Sequence, residues 1–246
     1  MTKILEKNIP TFPSLKILKL KSELKTIFSP KYSSSNPKKE SVKLIRNEYD
    51  KVRSRIKSIL LHNPKLSQKA LAAYTNLTDN IIDLSVEIAK AEFKRSSDLE
   101  PSLITIMAVG GYGRSEMAPF SDIDLLFLMP EEYCDEQKNM IEAILYSLWD
   151  MKLKIGYAVR TISECLSLGK KDFTIRTALL EHRHLVGDLK LSKKLKVSLW
   201  EKLFNNSGSE FIESKLKERE MRHLKNGEAR YVVEPNVKEG KGGLRD

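Results

Sequence analysis

Cysteine is scarce in this sequence. It occurs twice in 246 residues, at Cys134 and Cys165, with no CxxC and no Cys/His ligand spacing. A disulfide framework and a structural zinc site are therefore not expected, and a reducing compartment is. His182, His184 and His223 also lack metal-ligand company, so they read as surface or helix-packing side chains. No apolar run approaches the ~20 residues that span a bilayer. The first sixteen residues carry charge and two prolines but no apolar segment of signal-peptide length, so a cytoplasmic protein that is not integral to a membrane is expected. No internal repeat is visible.

What is present is a globular composition, 41% hydrophobic and 31% charged. A chain of this length can bury ~70–75% of its unfolded surface, as one large domain or two small ones. The formal net charge of +10 attracts polyanions. Its Lys and Arg are scattered through helical-looking segments rather than interleaved with aromatics, so a solvated basic surface is expected and a nucleic-acid partner is not.

Residues 1–40 contain four prolines and a serine-rich stretch without sustained periodicity, and read as a mobile arm. A helical lead-in follows over 41–96. One helix spans 41–62, where Val42, Ile45, Tyr49, Val52, Ile56 and Ile59 recur at three- and four-residue intervals. The second spans 67–95, and 96–102 is a loop. An apolar strand is predicted over 103–109. After a glycine turn, a second strand ends at Pro130, a helix covers 135–150 and a third strand covers 154–162. This small mixed α/β unit forms a core over 97–165. Helices are predicted again through 166–232, at 163–168, 173–185, 192–204 and 209–226. The last segment, 233–246, sets Gly240, Gly242 and Gly243 among Lys238, Lys241 and Arg245. It either covers phosphates or links to a following domain of a longer parent protein.

Residues 104–129, ITIMAVGGYGRSEMAPFSDIDLLFLM, carry the chemistry. Asp122 and Asp124 are two residues apart on the second strand, so both point to one face and Ile123 and Leu125 to the other. Adjacent carboxylates repel unless a cation or proton intervenes. Mg²⁺ is commonly held by one or two carboxylates together with phosphate oxygens. Upstream, Gly110, Gly111 and Gly113 offer backbone N–H groups with no Cβ obstruction, suited to cradling a triphosphate. Arg114 adds charge for those phosphates, and Ser121 either donates its hydroxyl to a phosphate or caps the turn. Each feature alone has a plain reading, a tight turn or a solvated strand face. The spacing of about ten residues between glycines and aspartates favours a site over scaffold.

GG, a short connection and SDIDLL resemble the signature of the polymerase-β-like nucleotidyltransferase superfamily. The fuller string GGYGRSEMAPFSDIDLLFL resembles the bacterial PII uridylyltransferase family. LWDMKLKIGYAVRTISECL at 148–166, TALLEHRHLVGD at 177–188 and VEPNVKEGKGGLRD at 233–246 agree, in the same order. The resemblance implies an α+β fold, a polymerase-β-like core with a small mixed sheet flanked by helices. It also implies transfer of UMP from UTP to a tyrosine hydroxyl of the PII nitrogen-signalling protein, with pyrophosphate leaving and Mg²⁺ or Mn²⁺ required. Gly110 and Gly111 would contact the triphosphate, and Asp122 and Asp124 would hold the metal.

The sequence departs from the family pattern in two ways. Superfamily members often carry a third carboxylate on the third strand, where KIGYAVRT has none, and Tyr157 stands where histidine is usual. Glu181 and Asp188 are candidates for the third acid only if their segment folds back over the sheet; for Glu181 a salt-bridged helix position is the plainer reading. An adenylyltransferase acting on glutamine synthetase and an inactive module that binds nucleotide or a partner remain as alternatives.

Overall fold

The computed structural model describes residues 11–32, 34–97, 103–205 and 207–225, with positions 237 and 243 in isolation. The basic segment 233–246 thus lies almost wholly outside the described residues, as does most of the loop expected at 96–102.

Part of the expected N-terminal arm is helical, which corrects that expectation. Helix α1 (Ile17–Ile27) buries Leu20 and Leu24 one turn apart, and Lys21 reaches Asp83 at 2.7 Å. The flanking prolines obscured this short periodic run. Helix α2 (Pro37–His62) begins ahead of position 41 because Pro37 fits the first helical position and Asn36 accepts the Lys39 N–H at 3.0 Å. A 3₁₀ turn (Pro64–Leu66) leads into α3 (Ser67–Ser96). All of the predicted stripe but Ile59 is buried: Val42, Ile45, Tyr49, Val52 and Ile56 of α2 share one core with Leu77, Ile81, Leu84 and Ile88 of α3.

The sheet has four strands in the order β3-β2-β1-β4. β1 (Thr105–Ala108) runs antiparallel to β2 (Ile123–Met129), and β3 (Ile155–Thr161) runs parallel to β2. Between β1 and β2 the glycines form a single helical turn, α4 (Gly110–Gly113). Between β2 and β3 lies α5 (Asp135–Asp150), as its apolar spacing predicts. The α+β class and the small mixed sheet flanked by helices are therefore those expected.

The C-terminal half needs two corrections. Beyond α6 (Ile162–Lys171), the predicted helix 173–185 is α7 (Phe173–Leu180) followed by β4 (Arg183–Val186), which pairs antiparallel with β1. A non-helical Glu181 and Gly187, at φ +102°, bracket this strand. Pairing with the otherwise open edge of β1 satisfies backbone groups that a helix would have satisfied internally. The sheet thus draws on residues beyond 165. The helix predicted over 192–204 is α8 (Leu189–Leu199) with a π-type turn (Trp200–Phe204), and α9 (Gly208–Lys225) follows.

Alternation along the strands divides the core. Ile106, Ala108, Leu125, Phe127 and Met129 face the layer of α2, α3 and α5, whereas Met107, Leu126 and Leu128 face α6, α7 and α8. Asp124, in phase with Leu126 and Leu128, belongs to the second face. Among the described residues no helix is long and apolar enough to cross a membrane.

Candidate active site

β2 starts at Ile123, so Asp122 stands at its mouth and Asp124 is its second residue. Both are exposed, while Ile123 and Leu125 are buried on the opposite face. Asp124 pairs in parallel register with Gly156 of β3. A Cβ on Gly156 would stand 2.5 Å from Oδ1 of Asp124, so the absent side chain is the space the carboxylate occupies. From the other side Gly110 approaches: its Cβ would lie 3.7 Å from Oδ2 of Asp124. Gly110 holds φ +58°, a conformation that glycine adopts without penalty.

Although Asp124 reaches solvent, partial enclosure of its carboxyl, and secondly the charge of Asp122, raises it above its ordinary value. Two carboxylates held this way favour a proton or a cation between them, and their oxygens suit a hard divalent ion. The all-oxygen donor set of two carboxylates fits Mg²⁺ or Mn²⁺.

The glycine turn is anchored from below. Tyr112, 1% exposed, donates its hydroxyl to Asp79 of α3 at 2.7 Å. Arg183 of β4 grips the same carboxylate at 2.8 and 3.0 Å, with its guanidinium 5.4 Å from the Tyr112 ring centre. One tyrosine thus ties α4 to α3 and β4. Gly113 N–H donates to Val109 O and Arg114 N–H to Gly110 O, each at 3.1 Å. The N–H groups of Gly110, Gly111 and Tyr112 precede these and have no intrahelical acceptor.

A cleft of about 290 Å³ opens between this face of the sheet and α7, lined by Gly110, Asp124, Gly156 and Arg160 with Thr174 and Ala178 opposite. That is close to the lower end of small-molecule sites, roughly 300 Å³. Arg160 lies in phase with Asp124's partner Gly156 and has no carboxylate partner among the described residues. Sequence reading missed it, because only the parallel register of β2 and β3 brings it to the aspartates' face.

The remaining predicted site residues are differently placed. Arg114 is paired with Glu116 at 2.9 Å and with Glu181, so its charge is already met. Ser121 Oγ accepts the Ala118 N–H at 3.1 Å, the capping role of its two readings. Asp188 caps α8 through the Lys190 N–H at 2.7 Å. Tyr157 points to the opposite face, edge-on to Phe127 and Trp149. His182 and His184 rest against Leu179 O and Ser192 Oγ, and burial lowers the pKa of both. Among the described residues no three of His, Cys, Asp and Glu gather as a metal group.

The sequence of the chain is similar to named families. A profile described as "Nucleotidyltransferase domain" matches residues 86–185, which include all four strands up to Leu185, and one described as "GlnD PII-uridylyltransferase" matches residues 210–246. Curated relatives named "Bifunctional uridylyltransferase/uridylyl-removing enzyme" are similar over long stretches. The Cereibacter sphaeroides protein is 48% identical over 74% of this chain and 20% of its own length. The Ruegeria pomeroyi protein is 45% identical over 83% of this chain and 23% of its own. The Azospirillum brasilense protein is 52% identical over 57% of this chain and 15% of its own. The chain therefore spans about a fifth of the length of the relatives it matches.

Proposed function

The chain belongs to the PII-uridylyltransferase family, and we propose that its cleft moves UMP from UTP to a tyrosine hydroxyl of a PII signal protein. The phenolic oxygen bonds to the α-phosphorus, the bond from that phosphorus to the pyrophosphate oxygen breaks, and the phenolic proton is released. The observation that carries this reading is Asp124 seated in the gap left by Gly156, next to Asp122 and under the Gly110 turn.

In the proposal Asp122 and Asp124 hold the divalent cation. When bound, that ion neutralises phosphate charge and orients the reacting oxygens. The N–H groups of Gly110 and Gly111, which have no intrahelical acceptor, receive phosphate oxygens, and Arg160 supplies fixed positive charge at the far end of the cleft. Ala178 and Leu179 of α7, across from the strands, keep bulk water from one side. The acceptor then needs little more than alignment, since phosphoryl-type transfer is governed by positioning and electrostatics.

One observation favours a second reading, an inactive nucleotide-binding module: no third acid joins Asp122 and Asp124 among the described residues. Incubation with labelled UTP or labelled ATP, Mg²⁺ and a PII protein separates the two. Label on PII from UTP alone supports transfer. Saturable UTP binding without label on PII supports the inactive module, and label from ATP alone supports an adenylyltransferase.

A further inference from the structure

A second recess, of about 190 Å³, lies on the other face of the segment that presents Asp122. Ser121 and Ile123, either side of that aspartate, both line it. Its charged lining is wholly basic, from Arg53 of α2 and from Lys152 and Lys154 of the turn between α5 and β3, and no carboxylate lines it. None of the three has a carboxylate partner among the described residues.

Arg53 is pre-positioned. It donates to Pro119 O at 2.8 Å and lies 6.0 Å from the Tyr49 ring centre and 5.7 Å from that of Phe120. Lys152 holds φ +57°, at the C-terminal end of α5, a conformation usually left to glycine. Tyr74 also lines the recess; it is 5% exposed, and its hydroxyl has no hydrogen-bond partner. A buried hydroxyl without a partner costs stability unless a ligand or water meets it. Burial also raises the Tyr74 pKa, so the group stays protonated as a donor.

We propose that this recess binds a small organic anion, with an apolar body against Tyr49, Met117 and Leu153 and an oxyanion head held by Arg53, Lys152 and the Tyr74 hydroxyl. The space is sufficient: an apolar cavity of roughly 150 Å³ takes up benzene. A guanidinium fork matches a carboxylate or phosphate head equally well. The occupant touches the residues flanking Asp122 but does not enter the cleft on the other face of β2.

The test is an NMR titration of the full chain with phenyl phosphate, benzoate and the neutral benzyl alcohol, which share one ring. Saturable shifts at the Met117, Ile123 and Leu153 amides are expected with at least one of the two anions, and none with benzyl alcohol. The anion that binds more tightly identifies the head group. Arg53→Gln should weaken binding roughly tenfold, the loss of one charge-assisted pair. Tyr74→Phe keeps the ring and the fold and should weaken it several-fold. The proposal is overturned if neither anion gives saturable shifts at these amides, if shifts appear only at Gly110, Asp124 and Gly156, if benzyl alcohol binds as well as the anions, or if the folded variants bind as the parent does.

Discussion

Replacing Gly156 by alanine probes the site without threatening the fold. The new Cβ would stand 2.5 Å from Oδ1 of Asp124, whereas ordinary contact begins at 3.4 Å, so the carboxylate must retreat by about 0.9 Å. What moves is the end of a side chain. Gly156 is not among the positive-φ glycines, so alanine fits the backbone and reduces unfolded-state entropy, a gain of about 0.4–1 kcal/mol. A misplacement of about 1 Å at a reacting centre costs ~100-fold in rate, or ~2.7 kcal/mol in barrier. Initial rates of label transfer from UTP to PII with excess Mg²⁺, alongside thermal unfolding followed by circular dichroism, should therefore separate. The melting temperature should hold or rise while the rate falls about a hundredfold. A folded variant within about threefold of the parent rate, ~0.7 kcal/mol, would refute the role given to that gap.

Gly113→Ala should behave in the opposite way. Its Cβ would land on the Glu181 carbonyl, backbone against backbone, so a loss of about 3 kcal/mol is expected, seen as a melting temperature lower by roughly 6–12 °C. For Asp124 the sign follows from its raised pKa. The folded chain binds that proton more tightly than the unfolded chain, so the group's contribution favours folding at acid pH and is lost as pH rises through the folded pKa. Without divalent ions at neutral pH, Asp124→Asn should melt above the parent. The difference should vanish below the ordinary carboxylate value of about 3.9. Added MgCl₂ should raise the parent's melting temperature and leave the variant's unchanged. Burial pushes the Cys165 thiol up to about 12, whereas Cys134 is exposed. A thiol reagent near pH 8 should modify Cys134 alone in the native chain and both cysteines after denaturation.

Much of the fold was legible because its signals are local. Helix α5 and strands β2 and β3 follow directly from apolar spacing bounded by Pro130 and by the polar turn before Ile155. The aspartate pair and the glycine turn were visible for the same reason. Strand β4 was hidden because Arg183–Val186 is short and becomes a strand only against the edge of β1. The anchor beneath the glycine turn was hidden too, since Asp79 and Arg183 are 104 residues apart in sequence. Gly156 carries no local signal in the sequence. Its meaning depends on standing beside Asp124 in a parallel register, which no local pattern encodes, and the same register brings Arg160 into the cleft. The Pro-rich opening misled in the other direction, since Leu20 and Leu24, with Leu15 and Ile17 beside them, dock α1 on the core.

The central claim is that Asp122 and Asp124 support transfer of a uridylyl group to a protein tyrosine. The most direct measurement is the intact mass of a PII protein after incubation with this chain, UTP and Mg²⁺, set beside the same reaction with Asp122→Asn and with Asp124→Asn. The account predicts a PII adduct of one UMP, placed on tyrosine by peptide mapping, with the parent chain, and none with either variant although both remain folded. An unmodified PII protein with the parent chain, or equal modification by parent and variants, would contradict it.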